Sequence, residues 1–144
     1  MHADPWKSYQ KTATVTAPPG QIVLMLFDGA LRSLERALVG FSYSDPRDAN
    51  MTIHNNLSRA QQIIRELNHA LNMEQGGEFA STLRRLYDYF DRRIAESNFQ
   101  KRREGVDEVI RHMTELRDAW AAMLGKTDLS AGVEGYSSFA SSVA

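Results

Sequence analysis

Apolar residues recur along this chain at alternating spacings of three and four, in four separate stretches. Such a spacing keeps them on one face of an α-helix, toward a neighbour packed at a shallow angle. We therefore predict four helices, and no stretch predicts a strand. The four apolar stripes are Leu24, Phe27, Leu31, Leu34, Leu38 and Phe41; Ile53, Leu57, Ala60, Ile64, Leu67 and Leu71; Phe79, Leu83, Leu86, Phe90 and Ile94; and Val106, Val109, Met113, Leu116, Trp120 and Met123.

Residues that favour helix ends and turns separate these stretches. Asp45 is placed to cap the second helix, and Pro46 suits its first position. We expect Gly76-Gly77 to separate the second helix from the third, and residues 98–105 to separate the third from the fourth. Connections this short favour antiparallel neighbours, so the predicted fold is all-α, an antiparallel up-down-up-down four-helix bundle.

The bundle is predicted to span residues 18–124. An N-terminal segment, residues 1–17, precedes it, and residues 125–144 follow it. The last segment is rich in Gly, Ser and Ala, and we expect it to be a flexible tail, although Tyr136 and Phe139 could dock transiently.

The first helix opens with six consecutive apolar residues, Ile22 to Phe27, more than one buried face can hold. Measured from its stripe, Ile22 and Met25 point roughly the opposite way, and Leu26 more than about 90° away. Three further side chains lie on the flanks of their stripes: Ile63, Tyr87 and Tyr89. A cluster of outward apolar side chains indicates a binding surface or a local cover. The competing interpretation is a wide core with scattered surface hydrophobes.

Charge and composition exclude several classes of protein. The chain has 17 basic and 18 acidic residues and a net charge of -1, so nothing attracts nucleic acid or an anionic membrane. It has no cysteine, which excludes disulfides and thiol catalysis. The N-terminus lacks a signal-peptide pattern, and a run of six apolar residues is far shorter than the roughly 20 that span a bilayer. We expect a cytoplasmic protein without stable membrane insertion.

Candidate chemistry is sparse. Glu66 and His69 have the spacing of a carboxylate-bridged metal site, and Glu108 with His112 comes close. Both pairs point away from the stripes, except His112 at about 90°, so we expect no metal site. No catalytic signature is present in the sequence either, and we expect no cofactor and no enzymatic activity. Two alternatives stay open: a metal-binding four-helix-bundle enzyme, and a bundle that associates with itself weakly through the face of residues 22–27.

Several sequence blocks together resemble the flagellar export chaperone family FliS. They occur in the family's order over roughly residues 9 to 124, which makes the combination specific although each block is weak. The blocks are Tyr9-Gln10; Thr16-Ala17 followed by Pro19; LMLFDGA from Leu24 to Ala30; RAQQIIREL from Arg59 to Leu67; LYDYFDRRIAESN from Leu86 to Asn98; and ELRDAW from Glu115 to Trp120.

The resemblance implies a small cytoplasmic bundle that binds the C-terminal segment of newly made flagellin. Such a protein prevents premature polymerisation and, when loaded, presents flagellin to the flagellar export gate. Tyr9 and Gln10 resemble part of the family's movable cap over the flagellin site. With the outward apolar side chains, the expected flagellin-binding or cap-contacting residues are Tyr9, Gln10, Ile22, Met25, Leu26, Asp28, Ile63, Tyr87 and Tyr89.

Overall fold

The computed structural model describes residues 19–130, with side chains through residue 125. It contains four α-helices: α1 (Pro19–Gly40), α2 (Pro46–His69), α3 (Met73–Gln100) and α4 (Glu104–Ser130). Each helix packs against the next along the chain, and α4 packs against α1. The predicted antiparallel four-helix bundle is confirmed. The predicted cap segment, with Tyr9 and Gln10, lies outside the described residues, as does the tail beyond residue 130.

Local sequence explains three of the helix ends. The Asp45 carboxylate caps α2 by accepting a hydrogen bond of 2.8 Å from the Arg47 amide, and Pro46 occupies the first turn, as predicted. Asn72 caps α3 by accepting from the Gln75 amide at 3.0 Å. At the other end of α3, Lys101 adopts a left-handed conformation (φ 53°) and its amide bonds to the Ser97 carbonyl.

Two predicted boundaries were wrong. Gly76-Gly77 does not separate α2 from α3; it lies inside α3, where Gly77 (φ 54°, ψ -132°) kinks the helix after its first turn. The Asn72 cap starts α3 earlier than the glycines suggest. At the C-terminal end, α4 continues to Ser130, past the expected start of the tail at Gly125. A single glycine costs a helix only about 1 kcal/mol, which is too little to end one by itself.

The core is apolar and continuous through the bundle. Its most deeply buried large side chains come from all four helices: Leu34, Leu57, Ile63, Ile64, Leu67, Phe90, Ile94, Val106, Val109 and Met113. The described part of the chain has no helix long and apolar enough to cross a membrane.

The buried face of α1 differs from the predicted stripe. A row of small residues, Ala30, Ser33, Ala37 and Gly40, is buried, and α1 packs most closely against α2. A Cβ on Gly40 would lie 3.0 Å from the Ile53 side chain, which shows how near the two backbones come. The core therefore lies closer to this row than to the large residues Leu24, Leu31 and Leu38, which are only partly buried.

Candidate functional site

An apolar groove of about 230 Å³ lies between α3 and α4, near the start of α3 and the C-terminal half of α4. We call it the α3–α4 groove. Nine residues from α1, α3 and α4 line it: Val23, Phe27, Phe79, Leu83, Tyr87, Leu116, Ala119, Trp120 and Met123. Pockets for drug-sized ligands usually exceed roughly 300 Å³, so this groove suits one or two apolar side chains of a larger partner.

The groove has a buried floor and an exposed rim. Val23, Phe27 and Tyr87 form the floor and are nearly inaccessible to solvent, whereas Phe79 and Met123 are 50% and 37% exposed. Both rim residues belong to stripes that we expected to face the core, and that expectation was wrong for them. At this end of the bundle the stripes of α3 and α4 extend beyond what the core can cover.

One wall of the groove is fixed to the start of α1. The Trp120 indole Nε1 donates a buried hydrogen bond of 2.7 Å to the Gly20 carbonyl, at the open N-terminal end of α1. This bond ties α4 to the start of α1 at the groove. The indole satisfies its one donor and still presents apolar surface to the groove.

Below the groove, α3 and α4 are joined by a polar cluster that we call the Glu108 clasp. The Glu108 carboxylate on α4 accepts hydrogen bonds from the Tyr89 hydroxyl at 2.6 Å and the Arg93 Nε at 2.8 Å, both on α3. These bonds hold the pKa of Glu108 below its ordinary value, with the Tyr89 bond as the largest cause. The hydrogen bond to the Glu108 carboxylate is also the largest cause of a raised pKa at Tyr89. The helices are thus joined at the clasp and separated at the groove.

We predict that the stability contributed by Glu108 depends on pH. Because its pKa is lowered in the folded protein, the contribution is complete above the ordinary carboxyl pKa of about 4.5 and is lost as the pH falls below it. A Glu108→Gln protein lacks this dependence and should be less stable than the wild type near neutral pH, by at most about 1 kcal/mol. Urea unfolding between about pH 7 and pH 3 measures the difference in unfolding free energy between the wild type and Glu108→Gln. This difference should become smaller as the pH falls.

Asp107→Asn provides the matched control. Asp107 belongs to the same helix turn and pairs with Arg103, the residue just before α4, at 3.1 Å between more exposed side chains. An equal pH dependence in both variants would contradict a specific role for the clasp.

Asp28 joins α1 to α4. Its carboxylate accepts a hydrogen bond of 2.8 Å from the Arg117 Nε, and both side chains are partly exposed. We expected Asp28 to contact the cap or a partner, and the structure gives it an intramolecular partner. Asp28 and Arg117 each directly follow a residue that lines the α3–α4 groove, Phe27 and Leu116 respectively.

Tyr87 is the polar residue of the groove floor. It is 2% exposed, its ring centroid lies 6.4 Å from that of Phe27, and burial raises its pKa. Because burial disfavours the charged phenolate, Tyr87 stays neutral in the groove floor.

The structure separates the predicted site residues into three groups. Leu26 and Ile63 are 5% and 1% exposed and belong to the core, so the outward placement of Leu26 and the flank placement of Ile63 were wrong. Tyr87 is also buried, but it lines the groove. Ile22, Met25 and Tyr89 are partly exposed, and Tyr89 is engaged in the Glu108 clasp.

The corrected orientation follows from the small residues of α1. Antiparallel packing that brings Gly40 beside Ile53 also brings Ala30 to about the level of Ile63, ten residues further along each helix. A buried face defined by large residues alone does not include Leu26 and Ile63. The buried face defined by the small residues of α1 places both at the contact between α1 and α2.

The possible metal pairs do not form a site in the described part of the chain. No group of three or more His, Asp or Glu side chains there is arranged to hold a metal ion. Glu108, which we expected to face water, instead lies in the clasp, with His112 Nε2 at 4.0 Å from its carboxylate. His112 stacks on Phe90 with its ring centroid 6.3 Å away.

Sequence reasoning missed the residues that build the site. Phe79 and Met123 were assigned to the core and lie on the rim of the groove, whereas Trp120 is buried as expected and also lines the groove. The available signal was the kink-forming Gly77 close to Phe79, since a helix bent there cannot continue its stripe straight into the core.

Comparison with known proteins identifies relatives along most of the chain. The family model described as "Flagellar protein FliS" matches residues 2–127. A "Flagellar secretion chaperone FliS" from Bacillus subtilis (strain 168) is 34% identical over 117 residues, which cover 81% of this chain and 84% of the relative. The protein of the same description from Salmonella typhimurium (strain LT2) is 34% identical over 111 residues, covering 76% of this chain and 79% of that one.

Proposed function

This chain belongs to the FliS family of flagellar proteins, and from this premise we propose that it is a cytoplasmic, non-enzymatic export chaperone for flagellin. In this proposal it binds the C-terminal segment of flagellin, prevents its premature polymerisation, and presents it when loaded to the flagellar export gate. A weak homodimer is compatible with this role.

The observation that carries the proposal is the α3–α4 groove. Its apolar floor and its exposed rim residues Phe79 and Met123 are suited to side chains from one face of an amphipathic helix. Flagellin segments that assemble by helix packing carry such a face. Covering that face in the groove removes the surface needed for polymerisation, so a steric mechanism is sufficient.

The groove accounts for only part of the proposed contact. Its volume of about 230 Å³ holds one or two anchors, while a segment that folds on binding wraps a larger surface. Ile22 and Met25, partly exposed on α1, are our candidates for further contact with the flagellin segment or with the cap that carries Tyr9 and Gln10.

Titration of the full-length protein with a peptide from the flagellin C-terminus tests the proposed function. We expect saturable binding with one peptide per chain, accompanied by a gain of peptide helicity in circular dichroism. A scrambled peptide of the same composition is the control, because it keeps the hydrophobicity and loses the periodic face. Equal affinity for both peptides would contradict the proposal.

We predict that Met25→Asp weakens peptide binding by about tenfold while leaving the fold intact. Met25 is partly exposed, so a carboxylate there stays solvated in the free protein and is buried only beneath a ligand. Isothermal titration measures the affinity, and urea unfolding checks stability. Glu35→Gln, at an exposed position on the same helix, is the control. An unchanged affinity would remove the outer face of α1 from the site.

A further inference from the structure

We propose that the α3–α4 groove also binds the chain's own segment 131–144, through the side chains of Tyr136 and Phe139, and that this contact competes with the flagellin segment. The competition rests on the proposed function, whereas the docking of the segment does not. The argument uses the place where α4 ends, the reach of the segment, and its composition.

The helix that forms one wall of the groove leads directly into this segment. Trp120 and Met123 line the groove, and α4 ends at Ser130, about 10 Å beyond Met123 at 1.5 Å per residue. The segment therefore begins at the groove end of the bundle. The clasp, more than twenty residues back along α4, is at the far end.

The length of chain suffices for a return. Five residues lie between Ser130 and Tyr136, and an extended chain covers up to about 20 Å over these six steps. Gly132 and Gly135 lie in this interval, and glycine permits the backbone conformations that reverse a chain. Tyr136 can thus reach the level of Met123, and Phe139 the adjoining part of the groove.

The composition of the segment suits an apolar site. Residues 131–144 carry one charged residue, Glu134, which precedes the aromatic pair and can remain in water. Tyr136 and Phe139 are spaced by three, so one helical turn presents both to the same side. Two aromatic rings also match a groove of about 230 Å³ that holds one or two anchors.

The covalent connection makes a weak contact effective. A segment tethered close to its site has a local concentration of about a millimolar, so modest intrinsic affinity keeps the groove partly occupied. A flagellin segment must displace the tethered segment. The apparent affinity for flagellin is therefore the intrinsic affinity multiplied by the fraction of chains whose groove is free. If the segment occupies the groove in about 70–90% of molecules, its removal tightens flagellin binding by about three- to tenfold.

The test compares two full-length variants. Tyr136→Ser with Phe139→Ser removes both anchors, and Ser137→Ala with Ser138→Ala changes two residues of the same segment while keeping the anchors. The first readout is the methyl NMR resonance of Met123, assigned from its loss in Met123→Leu. We expect aromatic ring currents to shift this resonance in the wild type and the serine-to-alanine control, and the shift to disappear without Tyr136 and Phe139.

A Met123 resonance that is the same in all three proteins overturns the proposal. A shift that grows with protein concentration also overturns it, because the segment of a second copy would then be the occupant. The second readout is flagellin-peptide affinity, which should tighten three- to tenfold in the anchor-free variant alone. Unchanged affinity overturns the competition. If no peptide binds but the Met123 shift behaves as expected, the proposed function is contradicted and the docking of the segment is supported.

Discussion

A Phe79→Asp protein is expected to fold normally and to bind the flagellin peptide about a hundredfold more weakly than the wild type. Phe79 lies on the rim of the α3–α4 groove with half of its surface exposed, so its replacement removes an aromatic anchor without opening the core. In the complex the new carboxylate would be buried against an apolar ligand with no cation supplied by the groove, which adds a desolvation cost.

The position of Phe79 in α3 is a further reason to expect that Phe79→Asp leaves the stability of the fold unchanged. It lies two residues after the kink at Gly77, close to the start of the regular part of α3, where a negative charge is compatible with the helix dipole. Urea unfolding and circular dichroism should give wild-type values. Isothermal titration then reports a pure binding defect.

Met51→Asp is the matched control for this prediction. Met51 is 53% exposed on α2 and does not line the groove, so the same change of an exposed apolar side chain to aspartate should leave peptide affinity unchanged. Phe79→Leu, which keeps an apolar anchor, should retain most of the affinity. If folded Phe79→Asp binds like the wild type, the groove is not the site.

A Gly105→Ala protein is expected to lose about 1–3 kcal/mol of unfolding free energy. Gly105 is buried at the start of α4, where α4 comes close to the last turns of α3. A Cβ at this position would lie 2.1 Å from the Ser97 Oγ and 3.2 Å from the Arg93 guanidinium carbon. The backbones or both side chains must move, and moving Arg93 also disturbs its bond to Glu108 in the clasp.

Ser97→Ala separates the steric effect from other causes. The Ser97 Oγ is buried and has no hydrogen-bond partner in the described part of the chain, so removing it should leave stability unchanged or slightly raised. In the Gly105→Ala background the same change removes the closest contact, and we expect it to restore a substantial part of the lost stability. Additive effects of the two substitutions would contradict direct contact.

Gly125→Ala is expected to act in the opposite direction. Gly125 lies inside α4, and a Cβ there meets no atom within 4 Å. Alanine should therefore stabilise the helix by up to about 1 kcal/mol through its higher helix propensity. Denaturant unfolding of the wild type and the four variants under one condition compares the signs of their stability changes directly.

Much of the fold follows from local patterns. The four apolar stripes predict the four helices, and the Asp45-Pro46 cap is present as expected. Short connections predict antiparallel neighbours, because a chain that turns within a few residues must run back along the helix it has left. The blocks from Leu24 to Ala30 and from Leu86 to Asn98 identify the family.

The sequence pattern did not predict correctly which face of α1 is buried. Periodicity weights large apolar residues, but small residues decide how near two backbones approach. Ala30 and Gly40 bring α1 against α2, and this contact turns Leu26 inward. An outer face that seemed to hold three surplus side chains keeps only Ile22 and Met25 partly exposed.

The sequence by itself determined the number of helices, their order and the excess of apolar surface over what a bundle can bury. The tertiary structure decided where that excess lies. It lies between α3 and α4, where Phe79 and Met123 continue their stripes beyond the core, at the end of these helices opposite the Glu108 clasp. The spacing of two helices depends on contacts between residues far apart in the chain, such as Glu108 with Tyr89 and Trp120 with Gly20, which no local pattern contains.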